Sequence, residues 1–357
     1  MIAIRESEPM PMVSEDFVKA MPKAELHVHL EGSIRPETLL ALARRYAVHL
    51  PAGTIEGLQA WYRFTDFAHF AQVYRTISAC LRAPDDIEMV AREFLAGQAA
   101  QNILHTEVTY TPFTHWAGQG IPCADQLAAI ARAGKWAAAS LGVSLLVVVD
   151  IPRDLTAEEG CTIADWAIQG MEHGVIGLGL TGPEPAAPAA KFRAAFDRAR
   201  SAGLHSVPHA GEHDGPASIW GALFDLGAER IGHGVRCLED RGLVAELLAR
   251  RTPLEVCPTS NTCLGVARSW AEHPLAGMLE AGLEVTLNSD DPCLFGTSLT
   301  EEYLRAARTL GLDSSDVEAL SLRALRGSFL PPVARPAMEA RFRAGFAELR
   351  GAEGNAP

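Results

Sequence analysis

No stretch of the chain holds about 18 consecutive apolar residues, the length a helix needs to cross a bilayer, so no transmembrane helix is expected. The opening MIAIRESEPM carries Arg5, Glu6 and Glu8 where a secretory leader needs an apolar stretch, so none is expected there. Cys-x-x-Cys is absent. The seven cysteines (Cys80, Cys123, Cys161, Cys237, Cys257, Cys263 and Cys293) are odd in number and scattered. That argues against a disulfide framework and against a cysteine zinc knuckle, and a reducing cytoplasmic location is the expectation. Positive charge is short: 31 lysines and arginines stand against 44 acidic residues, for a net charge of −13. An acidic surface repels phosphate backbones, so sequence-nonspecific nucleic-acid binding is excluded. What the chain does have is apolar side chains, 48% against 21% charged, over 357 residues. It is neither a disordered tail nor a fibre, and it can bury the core of one large α/β domain.

Short β-rich runs alternate with longer helical stretches. The runs are residues 25–30, 104–110, 143–150, 175–180, 204–209, 230–233, 253–257 and 283–288. The third is nearly all apolar, as a strand buried on both faces must be. Between them, residues 36–45, 85–100, 124–140, 157–173, 189–202, 217–226 and 242–250 repeat apolar residues near every 3.6 positions. Eight strand–helix units predict a (β/α)₈ TIM barrel with right-handed crossovers. A doubly wound sheet is the alternative, but no Gly-x-Gly-x-x-Gly follows the first strand. The plan is exceeded in two places. A helical insertion separates the first two strands, and extra helices near 299–310 and 314–326 follow the eighth. The expected organisation is an N-terminal extension over 1–20, a single domain over 21–350 and a frayed tail over 351–357.

Active sites of such barrels lie at the C-terminal ends of strands. The first strand ends His27-Val28-His29, and two positions apart on a strand means one face. The fifth ends His209-Ala-Gly-Glu212, the sixth His233-Gly234, the seventh Cys257-Pro-Thr-Ser-Asn261 and the eighth Asn288-Ser-Asp-Asp291. A lone histidine at a strand end is more often a hydrogen-bonder than a ligand. Three histidines and a carboxylate at strands one, five and eight offer zinc an N/O shell with room for water. His205 is expected to be a packed core residue and His213 a solvated loop residue. Phe64, Phe67 and Phe70 are spaced like a helix face, either a core stripe or a cover over the barrel mouth.

Five motifs now stand in order: Met21-Pro-Lys-Ala-Glu-Leu-His-Val-His-Leu-Glu-Gly-Ser33, His209-Ala-Gly-Glu212, Arg230-Ile-Gly-His-Gly234, Cys257-Pro-Thr-Ser-Asn261 and Leu287-Asn-Ser-Asp-Asp-Pro292. Together, over about residues 22–329, they resemble the adenosine/adenine deaminase family of amidohydrolase barrels. The resemblance implies one zinc per chain, with His27, His29, His209 and Asp290 as ligands. It implies that Glu212 protonates purine N1, that His233 orients and deprotonates the attacking water, and that Asp291 hydrogen-bonds N7. Gly182 matches a glycine whose backbone N–H meets N3. For Glu212 to be protonated near neutrality its pKa must be raised, as a closed apolar site would do. The implied partner is a small purine, with no nucleic acid and no membrane; oligomeric state is not implied.

The departures concern the substrate. Most adenosine deaminases carry Asp where Glu31 stands, whereas adenine deaminases share its Glu. Those in turn usually have Asp where Gly232 stands, and the run after Asp291 is similar to the adenosine side. Gly179 replaces an aspartate common in adenosine deaminases. The mixture is similar to bacterial 6-aminodeoxyfutalosine deaminases, whose substrate is an adenosine with a large aryl ketone at the 5′ end. Glu31 is expected to face the ligand beyond the base, favouring a 5′-modified adenosine over adenosine and free adenine. Three rivals remain. A cytidine-type deaminase would use His105-Thr-Glu107, but no Pro-Cys-x-x-Cys follows. A two-metal amidohydrolase needs a lysine ending the fourth strand, and the only lysines are Lys19, Lys23, Lys135 and Lys191. A non-catalytic binding barrel would be expected to have lost some of these groups.

Overall fold

The computed structural model describes residues 13–353; residues 1–12 and 354–357 of the expected extension and tail lie outside the described residues. Eight parallel strands form a nearly closed barrel: β1 (Lys23–His29), β2 (Ile103–Tyr110), β3 (Ser144–Pro152), β4 (Val175–Thr181), β5 (His205–Ala210), β6 (Ile231–His233), β7 (Leu254–Val256) and β8 (Val285–Leu287). Each pairs with the next in sequence order. Every strand lies within two residues of its predicted ends. Between β8 and β1 the closure is a bridge from Val28 to Asp290. There His29 N–H donates to Asp290 O at 2.7 Å, and Asp290 N–H donates to His27 O at 3.1 Å. The barrel is sewn shut at residues that carry the chemistry.

The alternation of each strand divides two environments. In β3, Val147, Val149 and Ile151 face the helices and join their core, while Asp150 between them faces inward towards Gly179 of β4. Helices begin where local chemistry satisfies their first N–H groups. Pro36 opens Pro36–Arg45, Thr156 and Glu159 form a reciprocal cap on Ala157–Gln169, and Asp66 caps Phe67–Ser78 through His69 N–H at 2.8 Å. The second half of the expected N-terminal extension is the helix Glu15–Ala20, with Phe17 and Val18 buried in the core.

The insertion after β1 contains the helices Ile55–Trp61 and Phe67–Ser78. After β8 come Leu299–Leu310, Ser314–Gly327 and a helix the periodicity did not reveal, Arg335–Glu353, anchored by buried Phe342 and Phe346. It carries residues 351–353, read from the sequence as tail. Short helices at Pro112–Gln119, Pro258–Cys263 and Leu275–Glu280 were also not anticipated. The first two start at a proline directly after a strand and are too brief to show a period. Among the described residues no helix is long and apolar enough to cross a membrane.

Candidate active site

His27 and His29 project from one face of β1, His209 from β5, and Asp290 from the turn after β8. One donor atom from each lies within 4.8 Å of the others, and all four residues are buried. His29 Nε2 is 3.3 Å from both His209 Nε2 and Asp290 Oδ1, and His27 Nε2 is 3.4 Å from Asp290 Oδ1. His27 Nε2 has no hydrogen-bond partner. Buried polar atoms seldom go unpaired, and nitrogen lone pairs do not converge without a cation or protons between them. Burial pulls the His27 imidazole down, but Asp290 and Glu255 outweigh it and hold the pKa up at about 10. His29 is likewise held at about 9 by Asp291 and Asp290 against burial. Burial and the neighbouring imidazoles push His209 well below its ordinary value, leaving a free lone pair. Three nitrogens and one carboxylate fit a divalent cation of the zinc type.

Below the cluster lies a buried charge ladder. Glu255 Oε2 is 2.8 Å from His27 Nδ1, and Arg230 bridges Glu255 and Glu107 at 2.5 and 2.6 Å. A carboxylate behind a histidine fixes its ring and tautomer, here leaving Nε2 of His27 facing the other three donors. Asn288 Oδ1 accepts the backbone N–H of Leu26 and His27, and Glu25 accepts Ser289 N–H, which locks the ends of β1 and β8 together. Asp290 and His233 adopt left-handed backbone at φ 62° and 64°. Such conformations cost on the order of 1–3 kcal/mol and gather at functional sites.

Glu212 Oε2 lies 3.1 Å from His213 Nδ1 and 3.6 Å from His233 Nε2. Burial raises its pKa, but the neighbouring imidazoles of His233 and His213, the latter also through a hydrogen bond, outweigh that and hold it below the usual carboxylate range. This corrects the expectation of a raised value: the site is closed but not apolar at this point. It also corrects His213, which is half-buried against Phe67 with ring centroids 4.5 Å apart, not a solvated loop residue. His205 is half-exposed, paired with Glu229 at 2.9 Å and stacked on Phe329, so it is packed but not in the core. The segment bearing Glu212 is pinned by Glu184, whose carboxylate accepts N–H groups of Gly211, Glu212 and His213 at 2.7, 2.7 and 2.8 Å. Arg153 holds the other side, donating to His209 O at 2.7 Å.

The cluster opens into a cavity of about 640 Å³. His29, His209, Glu212, His233, Asp290 and Asp291 line its floor, with Gly182 on one wall. The helix Phe67–Ser78 covers another wall through Phe67, Phe70 and Tyr74. Phe64 is not part of the lining; it packs edge-on against Phe70 and Phe295. Asp291 depends on Gly32, because a Cβ there would stand 1.8 Å from Asp291 Oδ1. Glu31 differs from expectation. The chain leaves β1 at His29 and enters a 3₁₀ turn, Glu31–Ser33, so strand alternation no longer aims residue 31 at the mouth. Its buried carboxylate accepts Thr111 N–H at 3.1 Å and lies 3.3 Å from His115 Nε2, outside the cavity lining.

Asp150 was not singled out by the sequence. It pairs in register with Gly179, whose missing Cβ would lie 1.8 Å from Asp150 Oδ1. Both Asp150 oxygens are buried without a hydrogen-bond partner. Burial pushes its pKa up to about 7, against the opposing pull of His29 and His27. The folded chain therefore binds a proton that the unfolded chain has released, and stability falls as pH rises from about 4 to about 7. Asp150→Asn is expected to remove this loss. Relative to the parent it gains roughly 2 to 3 kcal/mol between pH 5 and pH 8. Denaturant titrations at both pH values read the difference, and an unchanged pH dependence contradicts the assignment.

The sequence profile described as adenosine deaminase matches residues 22–342. The chain belongs to the adenosine deaminase family. It is accordingly a hydrolytic deaminase. Among family relatives, the aminodeoxyfutalosine deaminase of Streptomyces coelicolor is 43% identical over 316 residues, 88% of this chain and 81% of that protein. The adenine deaminase of Rhodospirillum rubrum is 39% identical over 332 residues, 93% of this chain and 99% of that protein. The crystal structure of an amidohydrolase of Burkholderia ambifaria with bound zinc superposes with a TM-score of 0.90 at 28% identity, covering 99% of this chain and 98% of that one.

Proposed function

We propose that this chain hydrolyses the 6-amino group of a purine nucleoside at one zinc ion held by His27, His29, His209 and Asp290. Its preferred substrate on this reading is 6-aminodeoxyfutalosine or another adenosine substituted at the 5′ position. The observation that carries the proposal is the four-donor cluster, three members of which (His29, His209 and Asp290) share the floor of one cavity with Glu212, His233 and Asp291. Bound zinc supplies the positive charge that makes water a nucleophile at neutral pH. The remaining chemistry belongs to the chain. Glu212 delivers a proton to N1, which makes C6 electrophilic. Burial and the charge of Asp290 raise the Asp291 carboxyl well above its ordinary range, and a protonated carboxyl donates to an acceptor such as N7. Gly182, at φ 100°, presents backbone to the ring edge at N3. Phe67, Phe70, Tyr74 and Phe113 wall the cavity away from water and leave apolar space beyond a single base.

The 43% identity to an aminodeoxyfutalosine deaminase supports the nucleoside reading, and the 39% identity to an adenine deaminase supports free adenine as the second. Ammonia release from the two nucleosides and the base, assayed side by side, separates them. The expected order of kcat/KM is 6-aminodeoxyfutalosine, then adenosine, then adenine. A wide preference for adenine replaces the first reading with the second.

A further inference from the structure

Behind His233 runs a relay of buried side chains whose direction is set by the backbone. Leu275 N–H donates to His273 Nδ1 at 3.1 Å. A backbone N–H has no other role to play, so neutral His273 keeps its proton on Nε2. That nitrogen lies 3.1 Å from Asn261 Oδ1. With its oxygen accepting, Asn261 turns its amide nitrogen to His233, Nδ2 to Nδ1 at 3.3 Å. A donor facing Nδ1 opposes a proton there. Neutral His233 therefore carries its proton on Nε2, the atom that looks into the site, 3.6 Å from Glu212 Oε2 and 3.9 Å from Asp290 Oδ2. His233, Asn261 and His273 are 1%, 0% and 5% exposed, so water does not compete for these bonds.

We propose that Asn261 and His273 are positioning residues that fix the Nε2–H tautomer of His233, so that His233 donates a hydrogen bond to the attacking oxygen and does not take its proton. The inference rests on the function proposed above and departs from the role that the family resemblance implies for His233. No proton passes through His233. As water adds to C6, its proton goes to the Glu212 carboxylate and on to N1. The hydroxyl proton of the adduct moves to N6 as the C6–N6 bond breaks. Ammonia leaves, and the purine keeps a 6-oxo group and N1–H, so charge and atoms balance.

Asn261→Asp reverses the relay with little change in size, because a carboxylate accepts from both imidazoles. His233 then becomes Nδ1–H with a bare Nε2, the form that a general base requires. Two-bond ¹H–¹⁵N correlations of the histidine side chains in the metal-free chain read the tautomer directly. The parent is expected to show Nε2–H at His233, and Asn261→Asp to show Nδ1–H. With zinc restored, kcat of the variant is expected to fall about 10²–10³-fold, the range for loss of one oxyanion donor, with KM little changed and zinc content equal. His273→Gln keeps a donor opposite Asn261 Oδ1 and is expected to retain the parental tautomer and most of the turnover.

An Nδ1–H signal in the parent overturns the inference, and this measurement decides the matter even if Asn261→Asp does not fold. So does a variant that switches tautomer and keeps its turnover, or one that loses turnover without switching. If Glu212→Gln is also fully active, the functional reading fails with the inference. If Glu212→Gln is inactive while the switched Asn261→Asp is active, the inference alone fails.

Discussion

Glu212→Gln is expected to fold and hold metal as the parent does while kcat drops by about 10²–10⁴-fold, the range for loss of a general acid–base group. Glutamine is nearly isosteric. The main chain at 212 stays bonded to Glu184, and none of the four cluster residues is touched. What the amide cannot do is take up a proton and release it to N1. Because His233 and His213 hold the Glu212 carboxyl below its ordinary range, it is ionised until the reaction brings it a proton. Steady-state ammonia release, with metal content and thermal midpoint measured on the same samples, checks the expectation. Near-parental turnover refutes the role.

A still larger loss is expected for Asp290→Asn. Asparagine tolerates the left-handed backbone at 290, so the bridge that closes the barrel is kept. The charge that faces His27 Nε2 and His29 Nε2 is not kept. Losing a ligand should weaken metal binding by more than the roughly 10–100-fold typical of outer partners. At stoichiometric zinc the variant is expected to be almost metal-free and inactive. Elemental analysis after gel filtration decides, and a full complement of metal in an inactive or active variant contradicts the assignment of Asp290.

The barrel was legible because its signals are local. An apolar run such as 143–150 marks a strand within itself, and His27-x-His29 at a strand end states its own geometry, since alternation puts both rings on one face. Residues that work in pairs across the fold were not legible. Glu255 sits alone in Leu254-Glu255-Val256, and nothing nearby in sequence says that its partner is His27. Glu184 serves Glu212, and His273 reaches His233 only through Asn261. Alternation marks Asp150 as inward, but the space it fills exists because residue 179 is glycine on the next strand. Glu31 was misplaced for a related reason: the extended rule was carried two residues past the point where β1 turns into a 3₁₀ helix. The lowered carboxyl of Glu212 likewise depends on His233, brought in from β6.

Metal-dependent deamination is put to the test by stripping the purified chain with a chelator and titrating Zn²⁺ back while ammonia release from 6-aminodeoxyfutalosine is recorded. No release is expected from the stripped chain, then a linear rise that breaks at one equivalent of zinc per chain. Full activity without metal, or a break at two equivalents, would contradict it.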